Sequence, residues 1–379
     1  MKIALVAPHL YLRAEFSGKV IFSPGELFVS LANELAKNGV EVHSYTSGLV
    51  KDLHQSISQY PADDSSLHAE LELRGYGLSE LYAKHPLACL TIARQMQAEV
   101  IAAAYKSDAD ITHVYMNEEE IALSFATLAK MPVVFTHHEP YNYLLKYRSV
   151  FPKYAASRNF ISISNSQRNS LPQANWVGNV HHGLAPEKFQ LQEKKSDYFA
   201  FLGRIIEPKG VHLAIQAALK AGVKLKIAGK HYGQTEKDDY WQNFIAPHID
   251  GEQIEYVGFL STTAEKQEFL GGARAMIMPS TWEEPFGLVV LEAFACGTPV
   301  IALNRGALPE IISPSVNGMV VDYEGDHEKV VESLANSMKN IAELTGNASE
   351  IRNSFAENFT AEKMAAGYLE IYRKLIGGE

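Results

Sequence analysis

Four charged residues, Arg204, Lys209, Glu284 and Glu292, sit in stretches whose pattern suits them to phosphate and hydroxyl chemistry. The glutamates belong to Pro279-Ser-Thr-Trp-Glu-Glu-Pro-Phe-Gly-Leu-Val-Val-Leu-Glu-Ala-Phe-Ala-Cys-Gly-Thr-Pro-Val-Ile-Ala302 and have seven residues between them. This segment reads strand, loop, helix, strand, with Pro285 where a helix would begin and Gly287 where a backbone must approach something closely. A helix N-terminus offers unpaired N–H groups and a positive dipole end, so the amides of Gly287, Leu288 and Val289 suit a phosphate or a sugar oxygen. Two glutamates at this spacing on one helix stand about two turns apart along a face. A carboxylate only accepts and can take two hydrogen bonds, which suits one of them to a sugar hydroxyl and the other to a ribose. Spacing alone is equally compatible with glutamates that face water. A second segment, Phe201-Leu-Gly-Arg-Ile-Ile-Glu-Pro-Lys-Gly-Val-His-Leu-Ala214, joins a strand to a helix through a turn flanked by Arg204 and Lys209. Read alone, two basic residues in a loop more often face solvent; fixed there as cations they would match a diphosphate, whose oxygens gain charge on departure, and would act in a transition state as well as in binding.

These loops require a scaffold that ends strands beside helix N-termini. Ile3–Ala7 reads as a buried strand, Pro24–Lys37 as a helix with Leu27, Phe28, Leu31, Leu35 and Ala36 at helical spacing, and Val40–Tyr45 as the next strand. Asn38-Gly39 supplies the helix stop, which completes a βαβ unit. Leu78–Tyr105 and Glu118–Ala129 read as helices, and Ile111–Tyr115, Val133–His137 and Phe160–Ser164 as strands. The polar stretch Leu191–Asp197 reads as a linker. Beyond it, strands at Tyr198–Leu202, Lys224–Ala228, Ile254–Val257, Ala275–Met278 and Pro299–Ala302 alternate with helices at Gly210–Ala221, Thr263–Leu270 and Leu288–Cys296. The fold class is therefore α/β, with two doubly wound parallel sheets. Ligands of such sheets bind outside the carboxyl ends of the strands, which places the chemistry in a cleft between the domains. Ala361–Ile376 reads as an amphipathic helix with Met364, Tyr368, Ile371, Tyr372 and Leu375 on one face, and it needs a surface to dock on.

Bulk properties remove several classes of function. At 379 residues and 46% hydrophobic content, two domains of ordinary size are expected without staples. Cys89 and Cys296 are far apart, so neither a disulfide framework nor a cysteine-ligated zinc site is available, and the reading is cytoplasmic. The apolar run Ile3–Ala7 is too short for a signal-peptide core, and no segment approaches ~18 uncharged apolar residues. A net charge of −10 argues against nucleic-acid binding. The segment Tyr143–Arg158 mixes Lys146, Arg148, Lys153 and Arg158 with Tyr143, Tyr147, Phe151 and Tyr154. It reads as a solvated helix face with some core aromatics, or as a surface for peripheral contact with the inner face of the membrane. Asp108-Ala-Asp110 reads as a surface turn, and no metal is expected. Gly75-Tyr-Gly77 is not a dinucleotide fingerprint, and no phosphate-binding Gly-x4-Gly-Lys-Ser/Thr sequence occurs.

The segment from Glu284-Pro-Phe-Gly-Leu through Glu292 to Ala-Cys-Gly-Thr-Pro-Val-Ile-Ala302 resembles the Glu-x7-Glu signature of glycosyltransferase family 4, retaining enzymes of GT-B fold. Val180-His-His-Gly-Leu184, the Gly203-Arg204 loop and Leu225-Lys-Ile-Ala-Gly-Lys230 extend the resemblance over most of the chain. The resemblance implies two Rossmann-like domains facing across a cleft. Residues 1–190 would form the acceptor side, residues 197–360 the donor side, and 361–379 a helix crossing back to the first domain. It also implies that Glu284 contacts donor-sugar hydroxyls, that Glu292 contacts the ribose, and that Arg204 and Lys209 hold the diphosphate. Gly203, Phe286, Gly287, Leu288 and Val289 would complete the donor site. The family's Thr-x-His segment aligns with Thr136-His-His-Glu-Pro140 and puts His138 near the reacting sugar, or His137 after a one-residue slip. The family's paired-glycine loop after the first strand is missing here. Gly25, within Phe22-Ser-Pro-Gly25, stands in for it or the contact is absent, with Ser17-Gly18-Lys19 as another candidate.

The implied reaction moves a hexosyl group from a nucleoside-diphosphate sugar, UDP ahead of GDP, to a hydroxyl of a glycan, lipid-linked or small-molecule acceptor. Configuration is retained, no cofactor or metal takes part, and the departing diphosphate helps to deprotonate the acceptor on the same face. Rival readings are a sugar-nucleotide epimerase or glycan phosphorylase of the same fold, or a non-catalytic nucleotide-sugar-binding module.

Overall fold

The computed structural model describes residues 1–16, 22–117, 119–141, 145–231, 239–344 and 346–377. Ser17-Gly18-Lys19, Tyr143 and the side chains of Lys146, Tyr147 and Arg148 lie outside this description. The chain forms two compact units, one made of Met1–Ile163, Gln167–His181 and Ala361–Glu379, the other of Ser164–Ser166 and His182–Thr360. The division thus falls at His181/His182, ahead of the boundary expected near residue 190.

In the first unit, strands β1 (Lys2–Ala7), β2 (Glu41–Thr46), β3 (Ser58–Pro61), β4 (Ile111–Tyr115), β5 (Val133–Thr136), β6 (Asn159–Ser162) and β7 (Asn175–Asn179) form one parallel sheet. Its order is β3-β2-β1-β4-β5-β6-β7. The helix Ser23–Lys37 has Pro24 in its first turn, where a missing N–H costs nothing, and buries Leu27, Phe28, Leu31, Ala32 and Leu35. The single helix expected over Leu78–Tyr105 is two, Leu78–Lys84 and Pro86–Lys106. Pro86 disfavours helical geometry at His85, which sits at φ −135° and ψ 59°. The helix expected over Glu118–Ala129 is limited to Glu120–Phe125, followed by a 3-10 turn at Ala126–Leu128.

The last helix, Ala361–Gly377, belongs to this unit and buries Met364, Tyr368, Ile371 and Tyr372. Its Tyr372 hydroxyl lies 2.5 Å from Nδ1 of His113, whose Nε2 lies 2.9 Å from Thr136 Oγ1. Complete burial pushes the His113 imidazole down to about 3, so it is neutral in this latch at ordinary pH.

The second unit holds β8 (Phe199–Leu202), β9 (Leu225–Ala228), β10 (Ile254–Gly258), β11 (Ala275–Met278), β12 (Val300–Leu303) and β13 (Gly318–Val321), all parallel. Their order is β10-β9-β8-β11-β12-β13. The core of this unit packs Phe199, Ile227, Ile277 and Ile301 of the sheet against Leu213 and Ile215 of helix Val211–Ala221 and Leu334 and Met338 of helix His327–Leu344. Leu191–Asp197 is not a free linker. Lys195 donates to Gly271 O at 3.0 Å, Cys296 O at 3.3 Å and Thr298 Oγ1 at 2.8 Å, and Ser196 N donates to Gly272 O at 2.7 Å. An ammonium at the carbonyl ends of two helices is favoured by their dipoles, so this stretch is fastened within the second unit.

Candidate functional site

Strand order reverses beside the first strand of each sheet, between β1 and β4 in one unit and between β8 and β11 in the other. The loops leaving the carboxyl ends of such a pair splay apart and open a crevice. In the second unit those loops are residues 203–210 and 279–287, which hold most of the charged residues singled out from the sequence. They are joined backbone to backbone. Thr281 N donates to Pro208 O at 2.9 Å, Ser280 Oγ reaches the same oxygen at 3.3 Å, and Gly210, at φ +69°, lies so close that a Cβ would overlap the Pro279 carbonyl.

The ion pair at the centre links these loops. Lys209 Nζ lies 2.6 Å from Glu284 Oε2, which also accepts from Trp282 Nε1 at 2.7 Å and Ser280 Oγ at 3.3 Å. The ammonium stands 4.9 Å from the centre of the Trp282 ring, a cation–π contact that adds to its fixing. Burial alone would raise the Glu284 carboxyl, but the Lys209 charge and these donors hold it below its usual range. All three donors converge on Oε2, and Oε1 receives none from a described residue. The Glu284 backbone is clamped from the loop after β12. Ala307 N donates to its carbonyl at 2.8 Å, and a Cβ on Gly306, at φ +59°, would overlap its N and O.

Glu284 and Glu292 do not share a helix face. The helix starts only at Leu288, after Gly287 at φ +98°, so Glu284 belongs to the loop and Glu292 lies one turn inside Leu288–Ala295. Pro285 is therefore not the helix start that it resembles in the sequence. Glu292 is 5% exposed, and its Oε1 accepts from Lys266 Nζ at 2.8 Å. The N–H groups of Gly287, Leu288 and Val289 donate to no described group, leaving the start of this helix open to an acceptor. Arg204 is half-buried, and its guanidinium makes no hydrogen bond or ion pair with a described residue. Gly203 N donates to Ala228 O at 3.1 Å, and Gly229, at φ +153°, passes against the Gly203 carbonyl where no Cβ would fit. Phe286 is buried, its ring 4.9 Å from that of His182.

The residues expected to matter in the first unit are more enclosed. His138 is 8% exposed, its N–H donates to Asn117 Oδ1 at 2.7 Å, and its ring stands edge-on to Tyr115 at 4.6 Å. His137 is fully buried, with Nδ1 2.9 Å from Glu119 Oε1 and its carbonyl accepting from Gln167 Nε2 at 2.8 Å. Gly25 lies in the first turn of its helix, where a Cβ would stand 2.7 Å from Phe22 Cδ1 and 3.2 Å from Leu12 Cδ1. The protein's own side chains occupy the space its missing side chain leaves, and Phe22 in turn stacks on His9 at 4.2 Å. Asp108 and Asp110 both bind Lys2, at 2.8 Å to Nζ and 2.8 Å to the backbone N respectively. In the basic and aromatic segment, Phe151 is fully buried and Arg158 Nε donates to Leu123 O at 3.1 Å.

Among the described residues no group of three or more His, Cys, Asp or Glu is placed to hold a metal ion, and no helix is long and apolar enough to cross a membrane. Sequence reasoning missed Ser280, Trp282, Gly306 and Lys266. The first two lie inside the segment quoted for Glu284, but nothing in their spacing says that they donate to its carboxylate.

Residues 185–358 match the family described as Glycosyl transferases group 1, which bears out the resemblance carried by the Glu284 motif. An alpha-maltose-1-phosphate synthase of Mycolicibacterium smegmatis is 29% identical over 46% of this chain and 47% of its own length. A D-inositol 3-phosphate glycosyltransferase of Paenarthrobacter aurescens is 30% identical over 52% of this chain and 46% of its own. The match thus spans about half the length of these curated relatives. A sucrose-phosphate synthase from Thermosynechococcus elongatus superposes with a TM-score of 0.74 at 16% identity, covering 100% of both chains. An Anabaena protein solved with UDP and glucose gives a TM-score of 0.66 at 17% identity, covering 99% of this chain and 100% of that one. The fold, two Rossmann-like parallel-sheet domains, is that of GT-B glycosyltransferases.

Proposed function

Because residues 185–358 belong to the group 1 glycosyl transferases, we propose that this chain is a retaining hexosyltransferase that uses a nucleoside-diphosphate sugar, UDP-sugar ahead of GDP-sugar, and a hydroxyl acceptor. The observation that carries the reading is the Lys209–Glu284 pair, 2.6 Å long, set in the same joined loops as the Arg204 guanidinium and the amides of Gly287–Val289, which have no hydrogen-bond partner among the described residues. Two cations and a helix N-terminus make an anion site, and a carboxylate with a free Oε1 makes a hydroxyl acceptor. A diphosphate sugar carries both functions within one molecule. UDP is favoured because a protein of the same fold has been solved with UDP and glucose.

In this reading Arg204 takes the diphosphate without giving up a hydrogen bond or ion pair to a described residue, and Lys209, with three N–H donors, holds Glu284 while donating a hydrogen bond to a phosphate oxygen. Glu284 Oε1 accepts from a hydroxyl of the donor sugar, and Glu292 from the ribose. As the bond to the anomeric carbon breaks, charge grows on the leaving phosphate, and the fixed cations and amides stabilise it more than the ground state. That stabilisation requires neither metal nor cofactor. A phosphate oxygen on the departing face receives the acceptor proton, which leaves the new bond on the face the old one occupied. His138 keeps the role the resemblance gives it, and His138→Ala is expected to slow transfer while leaving nucleotide affinity intact.

A thermal-shift screen against UDP, GDP, ADP and TDP sugars tests the reading. One nucleotide series should raise the melting temperature, because a ligand that binds only the folded state stabilises it, and Glu292→Ala should weaken the response. A folded protein that answers to none of them would overturn it.

A further inference from the structure

Glu292 is fixed by a residue from another helix, and that helix begins at the same end of the sheet. Lys266 lies in the first turn of Thr263–Gly271, which follows β10, and Glu292 lies one turn inside Leu288–Ala295, which follows β11. Both first turns stand at the carboxyl ends of their strands, where ligands of a doubly wound sheet bind. The pair is 2.8 Å long, with the lysine side chain 22% exposed and the glutamate side chain 7%.

The lysine is aimed by a rigid support. Thr262 and Glu265 form a reciprocal capping box, in which Glu265 N donates to Thr262 Oγ1 at 3.2 Å while Glu265 Oε2 accepts from the N–H groups of Thr262 and Ser261 at 2.8 Å each. One residue beyond Lys266, the Gln267 amide oxygen accepts from Gln190 N at 2.7 Å and from Cys296 Sγ at 3.5 Å. The helix is thus pinned at its start and against the end of the helix that carries Glu292. A carboxylate this buried is costly without a cation, and one whose Oε1 is committed to an ammonium is restricted in rotamer.

We propose that Lys266 is a positioning residue of the nucleoside half of the donor site, holding Glu292 in the orientation in which it accepts from the ribose hydroxyls of a nucleoside diphosphate. The inference rests on the donor reading above and adds to it the group that makes ribose recognition strict. Preorganisation of this kind raises affinity by removing an ordering cost, and discrimination arises because an analogue lacking the hydroxyl leaves a buried acceptor unpaired.

Calorimetric titration of the whole chain with UDP and with 2′-deoxy-UDP tests it, alongside Lys266→Met and Lys266→Arg. The wild-type protein should prefer UDP by about tenfold or more, the worth of one hydrogen bond to a charged acceptor. Lys266→Met should bring that preference close to one, and Lys266→Arg should restore most of it. A lysine with a purely structural role would lower the melting temperature or weaken both ligands equally, leaving the preference unchanged. That result would overturn the proposal while the donor reading stood. Failure of the wild-type protein to bind UDP, GDP, ADP or TDP would remove the donor reading and this inference with it.

Discussion

The two sheets reverse strand order at equivalent places, yet the loops at the two reversals are built differently. In the second unit, glycines at positive φ bring backbones into contact, and a guanidinium, three amides and a carboxylate oxygen between them have no partner among the described residues. In the first unit, the loop after β1 turns its rings on one another, with His9 stacked on Phe22 at 4.2 Å and Tyr11 edge-on to Phe16 at 5.7 Å. Beyond β5, His137 is fully buried against Glu119. The comparison teaches that one reversal holds polar groups with no partner among the described residues. Among the described residues, the other packs His9, Tyr11, Phe16 and Phe22 on one another and pairs His137 with Glu119.

The largest effect that separates them should come from Gly210→Ala. A Cβ there overlaps a backbone carbonyl that cannot yield, at a φ of +69° that L side chains avoid, so the loss should exceed about 4 kcal/mol and appear as failure of the second unit to fold. At Gly25 the atoms in the way are side-chain carbons, Phe22 Cδ1 at 2.7 Å and Leu12 Cδ1 at 3.2 Å, which can shift where a backbone carbonyl cannot, and a smaller loss is expected. Denaturant melts of the two variants measure the contrast, and equal losses would break it.

Lys209→Ala comes next. Removing one partner of a buried pair strands the other charge, which typically costs about 3–5 kcal/mol, and transfer should fall by at least about a hundredfold. Lys209→Met combined with Glu284→Gln should recover most of the stability and none of the activity, because the buried charge goes with its partner. Recovery of both would mean that the pair is structural only. Arg204→Ala should do the opposite of the single lysine change. Its guanidinium makes no hydrogen bond or ion pair with a described residue, so the melting temperature should hold to within about 0.5 kcal/mol of stability, while diphosphate affinity falls by roughly 10- to 100-fold. A clear loss of stability would show that Arg204 belongs to the scaffold.

Much of this contrast was readable from residue order, because the second unit keeps the residues singled out from the sequence in contiguous runs. Arg204 and Lys209 flank one turn, Glu284 and Gly287–Val289 share another, and alternating strands and helices place both turns at strand ends. The errors lie where geometry depends on a single dihedral or on contacts between distant residues. Gly287 at φ +98° delays the helix past Pro285 and takes Glu284 off it. Pro86 splits a helix whose apolar spacing runs through it. The hydrogen bonds that turn Leu191–Asp197 into a fastened strap run from Lys195 to Gly271, Cys296 and Thr298, and no local pattern announces them. The enclosure of Gly25 was invisible for the same reason, since Leu12 reaches it from the preceding loop.

Acid should separate the two units more gently. His113 faces Tyr372 and Thr136 through its ring nitrogens and Tyr115 and Tyr368 through its ring faces and edges, so no nearby carboxylate among its described contacts stabilises a protonated form. Its folded-state pKa of about 3, against an ordinary 6.5, means that the unfolded chain binds the extra proton throughout that window. Stability carried by the neutral ring is therefore full above 6.5 and is lost as pH falls, by about 1.4 kcal/mol per pH unit. Glu284 has the opposite chemistry and a lower window. Its carboxylate, held below the ordinary 4.5 by Lys209, keeps its full contribution above that value and loses it only as pH drops through the depressed pKa. Hydrogen exchange at pH 7, 6 and 5 should then show protection falling first around β4 and the helix Ala361–Gly377, with the loops of Lys209 and Glu284 unchanged. His113→Asn, which cannot take up a proton, should flatten the first response. Equal acid sensitivity of both regions in the wild-type protein would break the contrast, because it would mean that the buried imidazole is not what sets the stability of the first unit below neutral pH.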